Sequence, residues 1–296
     1  MGEVALLHYP ATLQRAFASA ARLLRHAEVE TPELDARLLL CHAAGLSHEA
    51  YISRRDDTLE PGAATRFGSL VERRLEGEPV SRITGVREFY GRPFRLDAST
   101  LDPRADTETL IEAALGLIDR EGWRARPLRL LDLGTGTGCI LITLLAELPH
   151  ATGVGIDLSP PALALARENA RALGVEARAL FVASDWLHAI GGAFDLVVAN
   201  PPYIVTGDIE GLSREVGAFD PLTALDGGPD GLSAYRHILR RLGEVLHSGG
   251  IVLLETGADQ TEAVLALLVK AGLDAGEGEW MWRDLGGRPR VVGARA

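Results

Sequence analysis

The sequence predicts an α/β protein, a mostly parallel, doubly wound sheet preceded by a small N-terminal helical bundle and a β-hairpin linker. Three observations carry this prediction. Residues 11–77 keep a helical period, residues 80–100 change to an alternating one, and from residue 101 strands and helices alternate to the end. The strands of the last region are near-continuous apolar runs, the pattern of parallel strands covered on both faces. The expected division is a bundle over 1–84, a hairpin over 85–100 and a second domain over 101–296.

In the bundle, "ATLQRAFASAARLLRHA" sets Leu13, Phe17, Ala20 and Leu24 on one apolar stripe. "TPELDARLLLCHAAG" opens with Thr31 as an expected N-cap and Pro32 at the first helical position, and closes at Gly45. "GAATRFGSLVERRLEGEP" gives a further helix, ended by Gly77 and Pro79. The bundle carries no catalytic constellation, which suits a structural cap or a partner-recognition domain. Around Gly85 and Gly91, "VSRITGVREFYGRPFRLDAST" reads as a hairpin. Beyond it, helix "TETLIEAALGLIDREG" leads to strand "LRLLDLG" and helix "CILITLLAELP". Strand "ATGVGIDLS", helix "PALALARENARALG" and strands "ARALFVASDW" and "FDLVVAN" come next. Helix "GLSAYRHILRRLGEVL", strand "GGIVLLETG", helix "TEAVLALLVKAG" and two terminal strands complete the pattern.

Composition excludes several classes. With 47% hydrophobic and 24% charged residues the chain is globular, and no apolar run reaches the ~18 residues of a membrane helix. "MGEVALLHYP" has no basic leader and no myristoylation pattern, so the expected location is cytoplasmic, away from any membrane. Cys41 and Cys139 are not paired in sequence and read as buried thiols. The eight histidines form no metal-ligand spacing, so no metal is expected. The net charge is −11, nearly all of it in residues 101–296, which disfavours nonspecific nucleic-acid binding.

Two motifs carry chemistry. In "LLDLGTGTGCI" a strand runs through Gly134, Thr135, Gly136, Thr137 and Gly138 into a helix. Such a turn lets a ligand approach the backbone at the carboxyl edge of a parallel sheet. Asp157 ends the next strand, 23 residues after Gly134, where a carboxylate accepts hydrogen bonds from both hydroxyls of a ribose and repels a ribose phosphate. The ligand is therefore nucleoside-like. In "SDW", Asp185 suits an exocyclic amine and Trp186 a base, although an N-cap Asp followed by a core Trp reads equally well. Asp132 either faces the ligand's amino group or caps the loop.

This G–x–G–x–G turn, without a phosphate-binding lysine, resembles the S-adenosylmethionine-dependent methyltransferases over about residues 101–296. The resemblance implies a Rossmann-like class I methyltransferase domain with a seven-stranded sheet, one strand antiparallel. It also implies S-adenosyl-L-methionine as methyl donor and S-adenosyl-L-homocysteine as product.

The second motif is "VVANPPYIV". A strand ends on Asn200, Pro201, Pro202 and Tyr203. An amide nitrogen is a poor nucleophile, because its lone pair is delocalised. The Asn200 side-chain oxygen and the Pro201 carbonyl can accept its two protons, in bonds that strengthen as positive charge grows on the nitrogen. Proline fixes the second acceptor, and Tyr203 offers a flat face to a planar group. The motif resembles that of methyltransferases acting on exocyclic amines or glutamine amides, and alone it leaves adenine and glutamine open.

The flanking sequence separates them. "PVSRITGVREFYGRPFRL", "LDPRADTETLIE", "DLGTGTGCI", "SDW", "NPPYI" and "DPLTALDGGPDGLSAYRHI" occur in that order. Together they resemble the peptide chain release factor N5-glutamine methyltransferase family along essentially the whole chain. The resemblance implies methylation of the glutamine in the Gly–Gly–Gln loop of release factors. It implies Gly134–Gly138, Asp157, Trp186 and Asn200 around the cofactor and Asn200–Tyr203 around the glutamine. Arg104, Thr107 and Glu108 fall in the family's Pro–Arg–x–x–Thr–Glu segment, near the acceptor or supporting the hairpin. Asp102, Ala105 and Asp220 depart from the family pattern. The competing readings are a ribosomal-protein glutamine methyltransferase, a DNA or RNA adenine methyltransferase and a non-catalytic S-adenosylmethionine-binding module. The acidic charge opposes the adenine reading, and the intact Asn200–Tyr203 motif opposes the last.

Overall fold

The computed structural model describes residues 11–276 and 280–296, so the leader reading of residues 1–10 lies outside it. The chain forms two compact units, one of residues up to Gly85 with Ser213–Phe219, the other of Val86–Leu212 with Asp220–Ala296.

The first unit contains α1 (Leu13–His26), α2 (Pro32–Ala44), α3 (His48–Ser53), α4 (Pro61–Leu75) and α5 (Val80–Thr84). Thr12 caps α1 by accepting from the Arg15 N–H, and Gly45 ends α2 at φ 64°, a conformation that favours glycine. The core is built on Leu24, Leu39, Leu40, Phe67 and Val71. Thr31 differs from expectation. Its hydroxyl donates to Asp35 Oδ1 at 2.9 Å and makes no cap bond. Asp35 is buried and needs partners, and it also accepts from Arg74 Nε at 2.7 Å. Arg74 in turn donates to Glu215 at 2.6 Å, which ties Ser213–Phe219 to the bundle. Residues 80–84, placed in the bundle by the domain division but read with the alternating period, are helical, and Gly85 at φ 71° closes the helix. Cys41 is only half-buried.

The second unit opens with an antiparallel hairpin, β1 (Val86–Phe89) and β2 (Arg92–Arg95), whose Phe89 and Phe94 pack edge to face in its core. Then follow α6 (Glu108–Arg120), β3 (Arg129–Leu133), α7 (Cys139–Glu147), β4 (Thr152–Asp157), α8 (Pro160–Ala172), β5 (Ala179–Ala183) and β6 (Phe194–Ala199). After α9 (Arg214–Gly217), which lies in the first unit, come α10 (Ser233–Leu239), α11 (Leu242–Val245), β7 (Leu246–Glu255), α12 (Thr261–Lys270), β8 (Met281–Arg283) and β9 (Pro289–Arg295).

The seven-stranded sheet has the order β5-β4-β3-β6-β7-β9-β8. β9 runs antiparallel to both its neighbours, and the other contacts are parallel. The central strands β3 and β6 are buried on both faces, as their composition requires, while edge strand β5 leaves Leu180 exposed. In β6, Leu196 and Val198 join the core formed with α6, α7 and α8, while Val197 and Ala199 join the core formed with α10, α11 and α12. Strand order reverses between β3 and β6, and at such a switch point the carboxyl ends leave a crevice. The helix expected over 231–246 is broken after Leu239. Arg241, at the break, donates to the Leu187 and His188 carbonyls, so tertiary bonds outweigh helix propensity there.

Candidate active site

A cavity of about 720 Å³ opens at the carboxyl ends of β3, β4 and β6. Gly134, Thr135, Gly136, Thr137, Asp157, Trp186, Asn200 and Pro202 line it together. Asp185, Arg104 and Thr107 line it as well. Gly138, Pro201 and Tyr203 do not appear in its lining.

The glycine loop has a specific backbone. Gly134, Gly136 and Gly138 all have positive φ, at 72°, 53° and 82°. Gly136 would meet nothing with a Cβ, so there the conformation itself demands glycine. At Gly138 a Cβ would lie 2.7 Å from Ile142 Cδ1, and this glycine serves close packing of α7 rather than the cavity. Asp132 is fully buried and accepts from Thr135 Oγ1 at 2.7 Å, so it holds the loop's first turn and does not line the cavity. Of the two roles left open for it, the loop-holding one is the contact seen. Burial pushes its carboxyl up to about 7, opposed by the Thr135 bond.

Asp157 is half-exposed and lines the cavity. Its Oδ2 accepts from the Gly136 N–H at 2.9 Å and its Oδ1 from the Ser159 N–H at 2.8 Å. The carboxylate is thereby fixed against the loop, with lone pairs left over for a ligand. Trp186 adopts φ 47°, the left-handed region, unusual for a bulky side chain. The Ser184 hydroxyl donates to its carbonyl at 2.8 Å and holds the turn.

Asn200 follows β6 directly. Its Nδ2 donates to Thr107 Oγ1 at 3.1 Å. The Asn200–Tyr203 segment is clamped from behind. Gln260 Nε2 donates to the Tyr203 carbonyl at 2.8 Å, and Ile204 exchanges backbone bonds with Leu225 and Gly227. The approach of Gly227 and Gly231 is so close that a Cβ would lie 2.7 Å from Tyr203 Cα, or 2.5 Å from its carbonyl oxygen. The Tyr203 ring is half-buried against the core of α10–α12, and its phenol is pushed up to about 12 by burial first and the Glu255 carboxylate second.

The three residues of the segment before α6 have different surroundings. Thr107 touches Asn200. Glu108 accepts from the Tyr90 N–H at 2.9 Å, a hairpin support. Arg104 donates to Asp220 Oδ2 at 2.5 Å, and the Asp102 N–H donates to Asp220 Oδ1 at 3.2 Å. Two of the positions that depart from the family pattern therefore meet each other.

Sequence reasoning missed Glu255, the last residue of β7. It is 1% exposed, and burial pushes its carboxyl up to about 7, against hydrogen bonding by Thr107 and Asn200 and the charge of Arg290. A lone glutamate ending an apolar run, "IVLLETG", was the one available signal. Among the described residues, no group of three or more acidic, histidine or cysteine side chains could hold a metal ion, and no helix is long and apolar enough to cross a membrane.

A switch-point crevice with a glycine loop, a strand-end Asp and an Asn–Pro–Pro–Tyr segment defines a class I methyltransferase. Residues 126–280 match the family described as "Methyltransferase domain", and residues 15–85 match "PrmC N-terminal domain". A solved structure, "hMettl16 catalytic domain in complex with MAT2A 3'UTR hairpin 6", shares the fold. It aligns over 68% of this chain and 74% of its own at TM-score 0.53 and 15% identity. The chain is 47% identical to the release factor glutamine methyltransferase of Rhodospirillum rubrum, over 92% of this chain and 81% of that relative. It is 45% identical to that of Bradyrhizobium diazoefficiens, over 96% and 95%. The chain belongs to the release factor glutamine methyltransferase family.

Proposed function

We propose that this chain transfers a methyl group from S-adenosyl-L-methionine to the side-chain amide nitrogen of the glutamine in the Gly–Gly–Gln loop of peptide chain release factors. The observation that carries the reading is that Asn200 and Pro202 share one cavity with the glycine loop and Asp157. A nucleoside-sized donor site and a planar-amide acceptor site thus meet at one sheet edge. The relatives named for this activity extend over nearly the whole chain and support the same acceptor.

The cavity suits the donor. Its glycine turn leaves room for a ligand against the backbone, Asp157 offers lone pairs to a ribose diol, and Trp186 offers a face to a base. When bound, S-adenosylmethionine supplies an electrophilic methyl group on a sulfonium sulfur. The protein's own work is at the acceptor. Asn200 Oδ1 accepts one proton of the glutamine –NH₂ and the Pro201 carbonyl the other. Both bonds strengthen as positive charge develops on nitrogen, which lowers the barrier rather than only tightening binding. The Asn200–Tyr203 segment borders the glutamine, and Gln260, Gly227 and Gly231 keep it rigid, which serves alignment of nitrogen and methyl.

The test offers labelled methyl donor with a release factor, a ribosomal protein or DNA. Label is expected on the release factor and lost when its Gly–Gly–Gln glutamine is replaced. Label on DNA alone, or on the ribosomal protein alone, would sink the reading.

A further inference from the structure

The sheet register sets side by side two residues far apart in sequence. Ala199 of β6 pairs with Leu254 of β7, so the next residues, Asn200 and Glu255, stand together at the carboxyl edge. Thr107, just before α6, meets both. Its Oγ1 receives the Asn200 Nδ2–H at 3.1 Å, and Thr107 and Asn200 both stand where they hold the Glu255 carboxyl down against burial. Glu255 and Thr107 are 1% and 2% exposed, and Glu255 Oε2 has no hydrogen-bond partner among the described residues.

We infer that Glu255 is a positioning residue for Asn200, acting through the Thr107 hydroxyl to keep the carboxamide nitrogen turned inward and its oxygen facing the cavity. The inference rests on the reading of Asn200 Oδ1 as an acceptor for the substrate amide. The two ends of a carboxamide have nearly the same shape, so sterics do not choose between them, and the hydrogen-bond network must. A threonine hydroxyl has one proton. In the proposed arrangement that proton goes to the Glu255 carboxylate, which leaves only lone pairs for Asn200, and only the Nδ2–H end complements them. With an amide in place of Glu255, the new –NH₂ donates to Thr107, whose proton is then free to bond Asn200 Oδ1. The flipped carboxamide would present donors to the glutamine –NH₂, itself a donor. The burial of a carboxylate is costly, and Arg290 offsets only part of that cost, so the arrangement is not a passive filling of space.

The test uses the full chain and the variants Glu255→Gln, Thr107→Val and Thr107→Ser. Three quantities are measured: S-adenosylhomocysteine affinity by calorimetry, kcat and KM with a release factor, and the Asn200 side-chain amide resonances, assigned by their absence from Asn200→Ala. Glu255→Gln and Thr107→Val are expected to lose roughly 10²-fold in kcat, as misplaced positioning groups do, with affinity and KM held within about threefold. Both should shift the Asn200 resonances, and Thr107→Ser, which keeps the hydroxyl, should retain native values. Unmoved resonances in both impaired variants, or unchanged kcat, overturn the proposal. Equal losses in Thr107→Ser and Thr107→Val also overturn it, since the hydroxyl would then be irrelevant. The resonance arm needs no acceptor substrate. A native chain that leaves release factors unlabelled would defeat the functional reading, while the resonances still decide the role of Glu255. If Glu255→Gln does not fold, the two Thr107 variants decide.

Discussion

Gly134–Thr137 of one loop and Asn200 and Pro202 of the other line the same cavity, and each loop is backed by a buried carboxyl pushed up to about 7. The likeness ends there. Asp132 accepts from Thr135, three residues on, through Oδ2 alone, and its Oδ1 has no hydrogen-bond partner among the described residues. Glu255 lies on another strand and meets Asn200 and Thr107 only through the sheet. The glycine loop is held by Asp132 just before it and by Ile156 and Asp157 of the adjacent β4, the other loop by β7 and the segment before α6. On the proposed reading the donor side thus rests on the β3–β4 pair, whereas the acceptor side depends on the register of β6 and β7 and on the segment before α6.

The largest expected effect tests the division of labour between the loops. Asn200→Ala removes an acceptor whose bond strengthens in the transition state, so kcat should fall roughly 10²–10³-fold. Affinity for S-adenosylhomocysteine, set mainly by the other loop, should stay near native by calorimetry. A parallel collapse of affinity would mean that the two loops form one binding unit. Next comes Asp157→Ala on the donor side. It removes a charge-assisted hydrogen bond of about 1.5–3 kcal/mol, so cofactor affinity should fall by one to two orders of magnitude. Since Asp157 also receives the Gly136 N–H, Asp157→Asn is the sharper variant: it keeps one acceptor oxygen and should fall between the two. Native affinity in both would remove the ribose assignment.

What the sequence disclosed follows the same split. The glycine turn, Asp157 at a strand end and Asp132 within a strand are local patterns, and periodicity put them on the right strands, although the Thr135 partner of Asp132 was not among them. Asn200–Tyr203 was legible because its chemistry is written in four adjacent residues. The clamp on that segment was not. Gln260, Gly227 and Gly231 converge on Tyr203 from two other stretches, and no period reveals such a meeting. Thr107 entered only by resemblance, with its partner unknown, and Glu255 did not enter at all. The break at residues 240–241 escaped for the same reason, since the bonds of Arg241 to the Leu187 and His188 carbonyls are tertiary. Likewise, Thr31 was read as a cap because a cap is local, and the buried Asp35 that claims its hydroxyl answers to Arg74 on another helix.

A smaller effect probes the clamp. A Cβ at Gly227 would lie 2.7 Å from Tyr203 Cα, and backbone there cannot step aside as a side chain could. Gly227→Ala should cost about 1–3 kcal/mol of stability by overpacking. It should also lower kcat while sparing cofactor affinity, as a displaced acceptor loop requires. Denaturant unfolding and calorimetry on one preparation separate the two effects. Equal damage to both loops would argue that the clamp supports the whole sheet edge.

The smallest expected effect sets the two carboxyls against each other directly. Burial raises both above their ordinary values of 3.8 and 4.5, to about 7, so between those limits the folded chain holds protons that the unfolded chain releases. Their stabilising contribution is whole below about pH 4 and is lost as pH rises through about 7. The carboxyls held below their ordinary values, such as Asp226 and Asp230, act oppositely and at lower pH, so among the described carboxyls Asp132 and Glu255 carry the window from pH 5 to 8. Across that window, Glu255→Gln and Asp132→Asn should each gain on the native chain by at least about 1 kcal/mol, the worth of roughly one pKa unit. The two gains should add, because the carboxyls serve separate loops. A double variant that gains less than the sum of the singles would show that the loops share one electrostatic unit, and the separation drawn between the two loops would fail.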